Sequence, residues 1–318
     1  MRLYKLTRIH LTGLAVVALM VPAALLAQDW DQAATAEFKL FLPGHASWEW
    51  LLIPTDHGSS PARRMRENRP CLSCHQGEEA VIGNVVASGE RLEPDPIGNM
   101  PGSLELRVEG LVADDHLHLR LSWPKVTTGT HAGEGEHAAM VTTLVADESV
   151  STAWAANCWA ACHSDLPGMS DDAGKDLTKY LPSSRERMTR TGGGDNIKGA
   201  DELAAEMDKG AFLEYWSALL DVDGQATARD GYFLEARVIN DDVAVEASAE
   251  RAGDRWVVTL SRPLVPDGGP RKSLVPGQTY PISFAVHEAH TSGRRHYVSF
   301  PLAVTIGEDS VEITEVLE

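Results

Sequence analysis

The chain has 318 residues, a formal net charge of −18 and an isoelectric point near 5.0. That acidity excludes the basic footprint of a nucleic-acid binder or an anionic-membrane binder. The length suffices for one large domain or two smaller ones with a sizeable core.

Arg2, Lys5 and Arg8 form a basic start, followed by an apolar run from Leu11 to Leu26. Ala24-Leu25-Leu26-Ala27 then has the small-residue pattern of a cleavage site, so residues 1–27 are expected to be an export signal. The run is short for a bilayer span and carries Pro22, which argues against an anchor. After cleavage no stable membrane insertion is expected. Residues 28–100 read as irregular, with a helix expected over Asp31 to Leu42 and Pro43-Gly44 ending it. This segment contains Cys71-Leu72-Ser73-Cys74-His75. C-x-x-C-H is the pattern that attaches a c-type haem, the thiols bonding the vinyl groups and the histidine ligating the iron. A segment so poor in packing residues would use the haem face as its core.

From residue 103 the periodicity becomes that of strands. Leu104, Leu106 and Val108 alternate with charged residues, as do Leu117, Leu119 and Leu121, with Asp114-Asp115 at the turn. Further strands are expected at Ala139–Ala146, Tyr232–Ile239, Val243–Ser248, Arg255–Ser261, Pro281–His287, Arg295–Ile306 and Val311–Val316. The fold class is therefore mainly β, an antiparallel β-sandwich with a few inserted helices. Two helices are expected, over Glu148–His163 and Ala200–Leu220. The first carries Cys158-Trp159-Ala160-Ala161-Cys162-His163, the same attachment device with one more residue between the thiols. The expected organisation is 1–27 signal, 28–100 N-terminal haem segment and 101–318 sandwich domain.

The chain has four cysteines and the two motifs use all of them. A structural zinc site draws its knuckles from one small module, whereas Cys74 and Cys158 are far apart. Two disulfides suit an exported protein but leave the histidine after each pair without a reason. Two c-type haems are expected, on Cys71, Cys74, Cys158 and Cys162, with His75 and His163 as proximal iron ligands. No phosphate-cradling loop or nucleophile motif accompanies them.

The strand region resembles the haem-binding domain of the ethylbenzene dehydrogenase γ-subunit family, which includes the γ subunits of dimethyl sulfide dehydrogenase and selenate-type molybdoenzymes. The resemblance lies in Leu117-His118-Leu119-Arg120-Leu121-Ser122-Trp123, Asp230 to Arg237, Phe284-Ala285-Val286-His287-Glu288 and Arg294 to Ser299, and covers roughly residues 85–310. In that family a b-type haem sits between a methionine and a lysine. The resemblance implies Met140 as the methionine, while His296 stands where the lysine would be. The added Cys158, Cys162 and His163 imply a branch in which this haem became covalent, with His296 distal and Met140 the runner-up. His287 and His290 are close enough in sequence to compete with His296. The region Ser47-Trp48-Glu49-Trp50 and Asp56-His57-Gly58 resembles the N-terminal parts of multihaem cytochromes. His57 is therefore the candidate distal ligand of the first haem, with His45 as its substitute.

The function expected is electron transfer by a periplasmic dihaem cytochrome. Its partners would be redox proteins, among them a membrane-bound quinol-oxidising cytochrome or a molybdoenzyme. The alternative is a haem enzyme with one open iron acting on a small inorganic substrate. Histidine on both sides saturates an iron and favours a lower potential than His/Met ligation.

Overall fold

A computed structural model describes residues 28–43, 64, 67–89, 100–126, 138–155, 158, 161, 181–186, 197–288 and 296–317. Among these, thirteen strands join one antiparallel sheet. In chain order they are β1 (Ala34–Phe41), β2 (Ser103–Ala113), β3 (His116–Pro124), β4 (Ala139–Val145), β5 (Leu213–Leu220), β6 (Ala226–Phe233) and β7 (Arg237–Ile239). They continue with β8 (Glu246–Ala252), β9 (Arg255–Pro263), β10 (Thr279–Glu288), β11 (Tyr297–Val298), β12 (Leu302–Ile306) and β13 (Val311–Glu315). The helices are α1 (Leu72–His75), α2 (Glu79–Ser88) and α3 (Ala200–Asp208). No helix among the described residues is long and apolar enough to cross a membrane.

The strand order is β7-β6-β5-β4-β10-β11-β1-β2-β3-β9-β8, with β12 paired to β10 and β13 to β12. This sheet curls so that its two halves face each other across one core. Val141, Trp216, Phe284 and Val286 from one half meet Leu106, Leu119, Leu121, Trp123, Trp256 and Val258 from the other. The expected mainly β, antiparallel architecture holds, with the two layers supplied by a single continuous sheet.

Three expected helical stretches differ. Residues 34–41 form strand β1, paired with β2 along all eight positions. Its exposure alternates, Thr35, Glu37 and Lys39 facing out while Phe38 and Leu40 enter the core. Sheet pairing here overrides a weak helical pattern. Ala200–Leu220 divides at Gly210, whose φ of 77° ends the helical region, and β5 follows. All eight residues of β5 are buried. A strand covered on both faces loses its alternation and mimics one face of a helix. In the third stretch, residues 148–155 are turns, and most of the remainder lies outside the described residues. Residues 28–100, read as irregular, supply β1 to the sheet, and their α2 sits on it through Val86 and Ala87. A Cβ on Gly83 of α2 would lie 1.8 Å from the Gly102 carbonyl, so this helix rests backbone against backbone on the approach to β2.

The inner face of β5 carries a buried charge. Glu214 and Arg262 are both 0 % exposed and are joined at 2.9 Å. The Trp216 indole donates to the same carboxylate at 2.7 Å. The guanidinium also donates to the carbonyls of Pro263 and Leu264. Removing one partner leaves the other charge unmatched in a medium that cannot solvate it. Glu214→Gln is expected to cost about 3–5 kcal/mol, read as a fall in the denaturation midpoint at unchanged m-value.

Glu288 at the end of β10 is also buried and accepts a 2.6 Å hydrogen bond from the Trp123 indole. Burial, only partly opposed by that bond, pushes its carboxyl up from 4.5 to about 7. The native state then holds a proton that the unfolded chain releases, so stability falls as pH rises from about 4.5 to about 7. The loss approaches roughly 3 kcal/mol and persists above that window. Glu288→Gln is expected to flatten the decline. Urea midpoints below and above the window check it, and an equal slope in both proteins would contradict it.

Candidate functional site

The site is built on the outer face of the sheet, opposite the main core. Strand alternation sends Val141 and Val145 of β4, Phe284 and Val286 of β10, and Tyr297 of β11 inward. The residues between them face outward. Leu144, Ala285, Val298, Phe41 of β1 and Phe300 form an apolar shelf with Leu213, Tyr215 and Phe233. Leu72, Val150, Ala153, Ala161 and Leu181 lie over it, and Cys71 and Cys158 pack against the same cluster. The first motif and the described part of the second, Cys158 and Ala161, are thus brought to one shelf.

The first motif is a single helical turn. The Cys74 and His75 amides both donate to the Cys71 carbonyl, at 3.1 and 3.2 Å. Leu72 is buried and anchors the turn, while Cys74 is exposed. The His75 ring stacks at 12° on Phe300, with centroids 6.4 Å apart. Its Nδ1 is 2.8 Å from Glu78 Oε2. A carboxylate on one ring nitrogen fixes the tautomer and leaves Nε2 as the metal-binding atom, the arrangement that ligating histidines use. Burial, reinforced by the neighbouring Cys74 and only partly opposed by Arg64, pushes the Cys71 thiol up to about 12. No cluster of three or more His, Cys, Asp or Glu suited to a metal ion occurs among the described residues. Two thiols and an oriented histidine on one turn, beside an apolar shelf, fit a covalent haem.

The second motif is described at Cys158 and Ala161, whereas Cys162 and His163 lie outside the described residues, as does His57. The turns leading to Cys158 are tied down by Lys272, whose Nζ donates to Asp147 at 2.9 Å and lies 4.3 Å from the Phe212 ring centroid. Met140 and His296, the distal ligands expected for a second haem, are brought to one region. His287 is the direct cross-strand partner of Met140. The His287 and His296 rings stack at 14° with centroids 4.3 Å apart. By alternation with Leu144, Ala285 and Val298, all three belong to the outer face.

Sequence reasoning did not single out Glu78, Phe300 or Asn68. Glu78 had a local signal, an acid three residues after a motif histidine. Phe300 reaches His75 only through the fold. Asn68 accepts hydrogen bonds from the Trp154 and Ala155 amides, a link across more than eighty positions that no local pattern encodes.

No family model matches the chain. It is 28% identical over 306 residues to cytochrome c-552 of Stutzerimonas stutzeri, covering 93% of this chain and 93% of that protein. The sequence likeness is to c-type cytochromes. A second relative, cytochrome c-551 of Rhodocyclus tenuis, is 27% identical over 283 residues, covering 88% of this chain and 95% of that one. A solved structure, a putative carbohydrate-binding protein from Bacteroides uniformis, aligns at a TM-score of 0.31 and 11% identity, over 68% of this chain and 81% of that one. That superposition is too loose to bear on fold or function.

Phe300 joins the shelf to the motif, being 4.9 Å from the Phe41 ring as well as stacked on His75. Phe300→Ala is expected to lower stability by about 3–5 kcal/mol, measured by thermal or denaturant unfolding of the purified protein.

Proposed function

We propose that this protein is a periplasmic dihaem c-type cytochrome that carries electrons between redox proteins. The observation that carries the reading is the first motif, with Cys71, Cys74 and His75 on one turn and Glu78 fixing the imidazole. Likeness to two c-type cytochromes along nearly the whole chain supports it.

A covalently bound haem supplies a one-electron couple at its iron. The chain supplies the rest. Cys71 and Cys74 hold the first haem and His75 ligates it, with His57 the distal candidate. Cys158 and Cys162 hold the second and His163 ligates it, a reading supported by Cys158 resting on the same apolar shelf. His296 is its distal candidate and Met140 the runner-up. The nearness of both to His287 supports placing that ligand on the outer face of β4, β10 and β11. Resemblance to the ethylbenzene dehydrogenase γ subunits favours the same two residues. The apolar shelf would limit water at the irons, and Glu78 would hold the orientation of His75.

Export through residues 1–27 would bring the chain to the compartment where such haems are attached. The net charge of −18 suits docking to a basic patch on a partner, because charge complementarity mainly accelerates encounter. A membrane quinol-oxidising cytochrome or a molybdoenzyme on one side, and another periplasmic carrier on the other, fit this role.

The test is the mass and haem spectrum of the exported protein, with carbon monoxide added to the reduced form. Two covalent haems and no carbon monoxide shift are expected, and one covalent haem after Cys158→Ala with Cys162→Ala. A protein without covalent haem would overturn the reading. A carbon monoxide shift would turn it towards the alternative, a haem enzyme with an open iron.

A further inference from the structure

Three hydrogen bonds tie the two motif segments together. Asn68 Oδ1 accepts from the Trp154 amide at 2.9 Å and from the Ala155 amide at 3.0 Å. In return the Cys71 amide donates to the Ala155 carbonyl at 3.1 Å. Asn68 stands three residues before Cys71, and Ala155 stands three before Cys158. The staple thus grips both segments at the same offset from their first thiols.

Local geometry shows that this grip is specified. Asn68 has a φ of 53°, a left-handed conformation costly for most side chains and best tolerated by glycine and asparagine. Glycine would relieve the backbone but supply no acceptor, so only asparagine, or aspartate, meets both demands. Pro70 carries no amide and Cys71 begins the helical turn, so the Cys71 amide needs an acceptor from elsewhere. Ala155, fully buried, supplies it. The contacts join positions far apart in sequence, and both segments then rest on the shared shelf through Cys71 and Cys158.

We infer that Asn68 is a positioning residue that sets the spacing of the two haem-attachment motifs and thereby couples the two redox centres. This rests on the dihaem reading above. Two like centres held close repel as each changes charge, so reduction of one makes reduction of the other harder. The separation between two such steps belongs to the pair, as in any coupled titration. Loosening the staple lets the segments move apart and weakens that coupling.

The experiment compares the exported holoprotein with Asn68→Gly, which keeps the left-handed backbone and removes the acceptor, and Asn68→Asp, which keeps both. Covalent haem is first counted by mass. A wild-type count below two overturns the dihaem reading, and this inference falls with it. With two haems present, redox titration of Asn68→Gly is expected to show the gap between its two steps narrowed, and Asn68→Asp is expected to restore it. Amide exchange at Trp154 and Ala155 is expected to be about tenfold faster in Asn68→Gly. Faster exchange with an unchanged gap would make the staple purely structural and overturn the proposal. Should Asn68→Gly fail to accumulate, the unaltered protein still decides. Exchange of those two amides at open-loop rates would mean that no staple exists, and protection well beyond those rates is the expected result.

Discussion

The strip of sheet formed by β5, β4, β10, β11 and the end of β1 at Phe41 has to bury apolar residues on both of its faces, and the rest of the molecule follows from that requirement. Its inner face closes against β2, β3 and β9 around three buried tryptophans. Its outer face carries the apolar shelf, and water is excluded from that shelf because segments between the strands fold back over it. Those segments carry the cysteines. Burial of apolar surface contributes about 25 cal/mol per Å², so the same driving force that assembles the sheet also recruits α1 and the turns before Cys158 to their places.

The two-faced strip also explains where the chain tolerates buried charge. Glu214 stands on the inner face of a strand with no exposed position, and its cost is met by the fork of Arg262 and by the Trp216 indole. Lys272, next in sequence to Arg271, plays the corresponding part at the outer rim through Asp147. Arg271 itself is matched by Asp230 at 3.0 Å. The segment between β9 and β10 therefore supplies two cations, each to a different part of the structure.

What was legible in the sequence follows from how local each signal is. The attachment motif needs five consecutive residues, and Cys71 to His75 does form one helical turn. Strands whose polar and apolar residues alternate, such as β2 and β3, declared themselves. β5 did not, because cover on both sides removed the polar half of its pattern. β1 was hidden for another reason: its partners β2 and β11 lie far along the chain, and its own residues lean weakly towards helix. The site was half legible. Cys71, Cys74 and His75 could be named at once. Their neighbours Phe300 and Asn68 owe their roles to contacts across the fold, and no spacing rule reaches that far.

The shelf has an order of assembly written into it. Phe41 arrives early in the chain and Leu144 follows, but Ala285, Val298 and Phe300 come from its last quarter. β4 pairs with β10, and β1 meets β11 only through Phe41 and Val298, so the floor beneath Cys71 and Cys158 stays incomplete until β10 and β11 dock. Pairings this distant in sequence form slowly. Only then does Cys71 gain the sheet face against which it lies half-buried. The topology thus makes the seat of both cysteine segments one of the last parts of the fold to be completed, when the C-terminal strands lock in.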